Sequence, residues 1–225
     1  MNRPTKIAII GGGGIACALL PALSRLTDIV IVDGDNYEPG NSSRQFPALH
    51  TKANKAAALM ELLQPNTLHK IEAIPEYLKD GRIASYGDWR GTEMVMGAVD
   101  NTASRRIIVE LCGDLDIPAI LGGNEHAMGE AHLFVPGVYN PFDHFDFNDS
   151  APTPWACNSD KQIEAEPQTP LANFMAASAI MHLLLSWESA TKPENAVAHT
   201  RLDVFSSTSS RVKNILASDI EPQKA

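Results

Sequence analysis

The stretch IAIIGGGG, residues 7–14, constrains the fold of this chain more than any other. Ile7 to Ile10 form an unbroken apolar run, the signature of a strand buried on both faces. Four glycines end it, and Ile15, Leu19, Leu23 and Leu26 then recur at the spacing of one helix face. DIVIVD (28–33) reads as a second buried strand. Parallel neighbours need a crossover of this length, so strand, glycine turn, helix and strand predict a βαβ unit.

The alternation continues. Residues 53–63 predict a helix stopped near Pro65, and 69–74 and 93–100 predict strands. A helix capped by Asn101 or Thr102 runs through Leu111, and IPAILGG (117–123) predicts another strand. The expected class is α/β, a Rossmann-like doubly wound, mostly parallel sheet with helices on both faces. Residues 139–170 lack any period and read as a long crossover loop, and 171–187 as an apolar helix packed on the sheet or a partner. Residues 199–215 suggest a C-terminal antiparallel hairpin, and 216–225 a solvated tail. One domain over 1–225 accounts for the length.

A formal net charge of -9 argues against non-specific nucleic-acid binding, because a phosphate backbone wants a basic surface. Cys17, Cys112 and Cys157 form no CxxC pair, so neither a disulfide framework nor a cysteine-rich zinc site is expected. MNRPTKIAII lacks the pattern of a secretory signal. The most apolar segment, 174–187, is short for a bilayer span and carries His182. The expectation is a cytoplasmic protein without a membrane partner.

Gly11, Gly13 and Ala16 satisfy G-x-G-x-x-[GA], with Gly12 and Gly14 between them. Missing side chains let phosphate approach the backbone, and the helix start offers unpaired N–H groups and partial positive charge. Asp33 lies about 20 residues downstream, where an acid binds ribose hydroxyls. Four successive glycines carry an entropic cost that a tight turn alone does not require. Nucleotide binding is the better reading.

DGDNYEPGNSSRQF (33–46) addresses which nucleotide. An NAD enzyme needs only Asp33. Asn41, Arg44 and Gln45 suit a triphosphate under attack, where catalysis is positioning plus stabilisation by cations. Arg44 offers a planar fork matched to phosphate oxygens, Lys55 a point charge, and Asp100 a hard oxygen ligand for Mg²⁺. All these loops are expected at the carboxyl edge of the sheet, where open α/β sheets bind ligands.

With these residues in view, the chain resembles the ThiF/MoeB/HesA superfamily of ubiquitin-activating-enzyme-like adenylyltransferases. The resemblance rests on IAIIGGGGIACALLPALSRL, IVIVDGDNYEPGNSSRQF, NKAAALMELLQPN, MVMGAVDNTASRR and IPAILGGNEHAMGEAHLFVPG, in that order. It covers residues 7–137, and the helix near 171–187 more loosely. Its specific element is Asp33-x-Asp35 followed by Asn41-x-x-Arg44-Gln45. The resemblance implies ATP and Mg²⁺, with Gly11 to Gly14 and Asp35 among the nucleotide-binding residues, Asp33 on the ribose and Asn41, Arg44 and Lys55 on the phosphates. Gln45 would support the loop and Asp100 would hold the metal. It further implies attack of a carboxylate on the α-phosphate, giving an acyl-adenylate and pyrophosphate. The carboxylate would be the C-terminal glycine of a ubiquitin-fold or sulfur-carrier protein. Some members activate a short peptide or dehydrate a modified tRNA base. A homodimer is implied as well.

The chain departs from the pattern in three places. Ala16 replaces the last glycine. Only MNRPT precedes the first strand, so the arginine that members send into a neighbouring site has Arg3 as its candidate substitute. The two CxxC pairs of the family's structural zinc are absent. Cys157 falls where many members place a nucleophilic cysteine for thioester or persulfide transfer, whereas Cys17 and Cys112 read as packing residues. DHFDF (143–147) reads as a partner surface or loop anchor, and His126 and His132 as surface or packing groups. Two other readings stay open: a non-catalytic nucleotide-binding subunit of a paired activating enzyme, and an NAD-dependent oxidoreductase, which the Asn-x-x-Arg-Gln element disfavours.

Overall fold

Strand β1 (Lys6–Ile10) sends Ile7 and Ile9 into one hydrophobic core and Ala8 and Ile10 into another. The neighbouring β2 (Asp28–Val32) does the same with Ile29 and Ile31 against Val30 and Val32. That two-sided burial explains why both read as continuous apolar runs. The computed structural model describes residues 1, 3–49, 52–78, 90–125, 128–145, 169–203 and 211–216.

The sheet continues with β3 (Ile71–Ile74), β4 (Met94–Gly97), β5 (Ala119–Glu125), β6 (Met128–Phe134), β7 (Val197–Asp203) and β8 (Arg211–Leu216). The order is β3-β2-β1-β4-β5-β6-β7-β8. Pairings are parallel from β3 to β5 and antiparallel from β5 to β8. The expected mostly parallel sheet is therefore present, and β7 and β8 are the expected hairpin strands. Strand β6 is an addition: the segment after 117–123 turns back as an antiparallel partner of β5.

Helices α1 (Gly14–Leu23), α2 (Lys55–Leu63) and α4 (Pro170–Ser189) pack on one face, and α3 (Thr102–Leu115) on the other. Side-chain caps start three of them. Asn54 accepts from Ala57 N–H, Asn101 from Ser104 N–H and Thr169 from Ala172 N–H. Helix α3 ends on Asp116 in the left-handed region, φ 56°.

With 20 residues, α4 is longer than the apolar stretch suggested and meets the length and hydropathy of a membrane span. It is used as a core helix. Ala172, Met175, Ala176, Ala179, Ile180 and Leu183 are buried, and a β-carbon on Gly129 of β6 would lie 2.1 Å from Ala176 N. Leu171, Phe174 and Leu185 on its outer side stay exposed.

Most of the predicted crossover loop, Cys157 included, lies outside the described residues, as do His126 and the tail. Its first residues are ordered by a bridge between Val135 and Tyr139 and a helical turn at Pro141–Asp143.

Candidate active site

Chain order reverses direction in the sheet at β1, which has β2 on one side and β4 on the other. The crevice above such a switch point is where open α/β sheets take ligands. The glycine turn, the loop after β2 and the loop after β4 all open there.

Gly11 has φ +100°, and a β-carbon on it would lie 2.5 Å from the Ala98 carbonyl oxygen. Only glycine fits, which brings the turn hard against the end of β4. Gly13 caps α1 without a side chain, and the first turn of α1 carries no acid. The helix start thus presents backbone N–H groups and their partial positive charge to the crevice.

Asp33 is tied to that turn. One carboxylate oxygen accepts from Gly12 N–H at 2.5 Å and the other from Asp35 N–H at 2.7 Å. Burial raises its pKa, opposed by the Lys55 charge and those two N–H donors. Lys55 opens α2 beside Gly12, whose β-carbon would lie 2.9 Å from Lys55 Cβ. Its ammonium donates to Asp35 at 3.0 Å, and Tyr77 OH donates to the other Asp35 oxygen. Asp35, expected to face nucleotide, therefore holds Lys55 in position.

Beyond Asp35, a helical turn spans Pro39–Asn41. The Asn41 side chain accepts from Glu38 N–H at 3.0 Å, and its carbonyl from Gln45 N–H at 2.8 Å. Gln45 is buried, and its Nε2 comes within 3.8 Å of a β-carbon built on Gly13. Two buried side-chain atoms here, Arg44 Nε and Gln45 Oε1, have no hydrogen-bond partner among the described residues. Such orphans call for an explanation, and a buried guanidinium donor of this kind is suited to an anionic ligand.

Asp100 is exposed at the carboxyl end of β4, its carboxylate 3.4 Å from Asn101 Nδ2. One exposed carboxylate on a loop of this crevice is a group that could hold Mg²⁺ together with substrate phosphates. Arg3 lies at the opposite edge of the sheet, ahead of β1, and makes a two-pronged bond to Glu188 at 2.8 and 3.0 Å.

Four supporting residues escaped the sequence reading. Asn173 of α4, 2 % exposed, donates to the Arg44 carbonyl at 3.3 Å, accepts from Asn124 at 2.6 Å and abuts Gly14. A lone asparagine in an otherwise apolar helix was the signal. Asn54 donates to the carbonyls of Asp33 and Asp35. Arg105 donates to the carbonyls of Val99 and Gly122, joining the loop after β4 to the middle of β5. Tyr37, buried beneath the turn, donates to the Gly12 carbonyl at 3.3 Å and lies 3.6 Å from Cys17 Sγ. Burial pushes the Cys17 thiol up to about 11 and Cys112 up to about 12, so both are inert packing residues.

Residues 3–223 match the ThiF family. Among curated proteins, the chain is 29% identical over 154 residues to the NEDD8-activating enzyme E1 catalytic subunit of Schizosaccharomyces pombe, covering 62% of this chain and 33% of that one. It is 28% identical over 144 residues to SUMO-activating enzyme subunit 2 of Dictyostelium discoideum, covering 61% and 22%. Among solved structures, E. coli MccB with ATP superposes with TM-score 0.64 at 18% identity, over 95% of this chain and 64% of that one. PaaA superposes with TM-score 0.66 at 21% identity, over 95% and 65%. The chain thus spans a third or less of those curated relatives and just under two thirds of those solved chains. Fold, site and family match agree: this chain belongs to the ThiF family.

Proposed function

We propose that the chain is an ATP-dependent adenylyltransferase. It activates the C-terminal carboxylate of a small ubiquitin-fold or sulfur-carrier protein, or of a peptide, ending in glycine. The observation that carries this reading is the convergence of the glycine turn, Asp33 and Lys55 at the β1–β4 crevice, with Asp100 on the loop after β4 and, on the loop after β2, Arg44 Nε buried without a hydrogen-bond partner among the described residues. The names of the activating enzymes it resembles, and MccB solved with ATP and with MccA, support the same class.

In this reading the backbone N–H groups of Gly12 to Gly14 and the start of α1 receive the phosphates, and Asp33 the ribose. Arg44 and Lys55 face the β- and γ-phosphates, with Asn41 beside them, and Asp35 is a positioning residue for Lys55. Asp100 would hold Mg²⁺, which neutralises phosphate charge when bound. The acceptor carboxylate is already ionised near neutral pH and needs no general base. Its oxygen attacks the α-phosphorus, the bond to the bridging oxygen breaks, and pyrophosphate leaves carrying the electron pair. Cys157 is the proposed thiol for any later covalent transfer. The exposed stripe Leu171, Phe174 and Leu185 on α4 supports a homodimer.

The test is exchange of labelled pyrophosphate into ATP, screened against small glycine-ended proteins and peptides. Acceptor-dependent exchange is expected; its absence across the panel, with ATP bound, sinks the reading. The engagement of Arg3 with Glu188 favours a second one, a non-catalytic nucleotide-binding subunit of a paired activating enzyme. In that case exchange would appear only on adding its catalytic partner.

A further inference from the structure

Away from the glycine turn, on the α3 side of the sheet, three potential ligands face one another in the antiparallel strands. Glu130 and His132 are two residues apart in β6 and so share a face, and His199 of β7 stands directly opposite His132. The two imidazoles stack with centroids 4.4 Å apart. His132 Nε2 lies 3.3 Å from one Glu130 oxygen and His199 Nε2 3.7 Å from the other. One ligating atom from each residue falls within 4.8 Å of the rest. Both histidines are at least nine-tenths buried, and neither ring nitrogen of His199 has a hydrogen-bond partner among the described residues.

We propose that Glu130, His132 and His199 form a site for one divalent transition-metal ion of the zinc class. Zinc takes imidazole nitrogen and carboxylate oxygen at about 2.0–2.2 Å, so tetrahedral ligands sit roughly 3.4 Å apart. The two Glu130–imidazole separations are close to that, and modest side-chain rotation closes the third. Two imidazoles and one carboxylate leave a fourth position open, the pattern of zinc sites that hold water or substrate. Mg²⁺ and Ca²⁺, which want oxygen, suit the set poorly.

Phe145 packs on both rings at 4.6 and 4.8 Å, Arg201 stands opposite Glu130 in register, and Arg105 directs Nη2 to backbone carbonyls. His132 pairs with Leu121, which pairs with Gly97 of β4. The cluster is thus level with the crevice but two strands away, roughly 10 Å.

The test uses the full chain, stripped with a chelator and titrated with zinc sulfate by calorimetry. One zinc per chain is expected, with a higher Tm that chelator reverses. Glu130→Gln, which keeps the side-chain shape, and His199→Gln should each weaken binding at least about tenfold. The Co²⁺ form of the wild type should show ligand-field bands without a thiolate charge-transfer band. That spectrum decides the ligand set even if a variant fails to fold. No zinc uptake by the wild type, unchanged affinity in both variants, or a thiolate band each overturns the proposal.

Discussion

The two halves of the sheet bury polar groups in different ways. In the parallel half, β1 to β5, the polar groups stand at the ends of strands and helices and are held within neighbouring loops: Asp33 by the backbone N–H groups of Gly12 and Asp35, and Lys55, at the start of α2, by the Asp35 carboxylate. In the antiparallel half, Glu130, His132 and His199 lie within strands and are held mostly by one another. The first kind of site is built from short sequence stretches and shows as a motif. The second exists only through cross-strand register, which no local pattern reveals.

The strongest way to break this comparison is at the crevice. Arg44→Ala or Asp100→Ala should lower acceptor-dependent pyrophosphate exchange by about a hundredfold or more, the scale for losing one transition-state contact. Undiminished exchange in both removes them from the site. Arg44→Ala should nonetheless keep any zinc-dependent gain in Tm, and losing that gain would show the two halves to be one site. Binding should also be visible in stability. ATP with Mg²⁺ at a hundred times its Kd should add about 2.7 kcal/mol, or roughly 2–4 °C of Tm per kcal/mol, and NAD should add nothing. The reverse result favours the oxidoreductase reading.

Two structural changes sharpen the contrast. Gly11→Ala forces a β-carbon against the Ala98 carbonyl at φ +100°, costing roughly 1–3 kcal/mol from backbone strain alone. A chemical denaturation curve unchanged by the substitution would show that the turn does not need glycine there. Asn173→Ala removes the bonds to Asn124 and the Arg44 carbonyl, an expected loss of about 1–3 kcal/mol and a raised KM for ATP. A stability loss with KM unchanged would make Asn173 a packing residue only.

The smallest expected effect is alkaline. Cys17 and Cys112 titrate near 11 and 12 when folded, against about 8.5 for a free thiol. Above that value the unfolded chain binds fewer protons than the folded one, so stability falls as pH climbs. Below it both states keep the proton and the two thiols add no pH dependence. Maleimide labelling read by mass spectrometry should spare both until the chain unfolds.

What was legible follows the same division. Strands β1, β2, β4 and β5, helices α1 to α4 and the hairpin were predicted close to their observed bounds, because each shows the apolar period of its burial. Strand β6 was missed. Its sequence MGEAHLF places glutamate and histidine on one face, the usual mark of exposure, yet His132 is 3 % exposed. Asn173 was hidden similarly, as a polar residue whose partners lie in distant loops. The roles of Asp35 and Arg3 depended on partners that only the fold brings near, Lys55 and Glu188.

The close approach at Gly129 has a consequence for the crevice. Helix α4 rests on the sheet at a standoff set by an absent methyl group, and Asn173 sits one helical turn before Ala176 at that contact. A single added carbon there would lift the helix and draw the Asn173 amide away from Gly14 and the Arg44 loop, with every polar side chain still present. The gauge of one interlayer gap therefore governs the grip of the site, and it can be tuned through apolar volume alone.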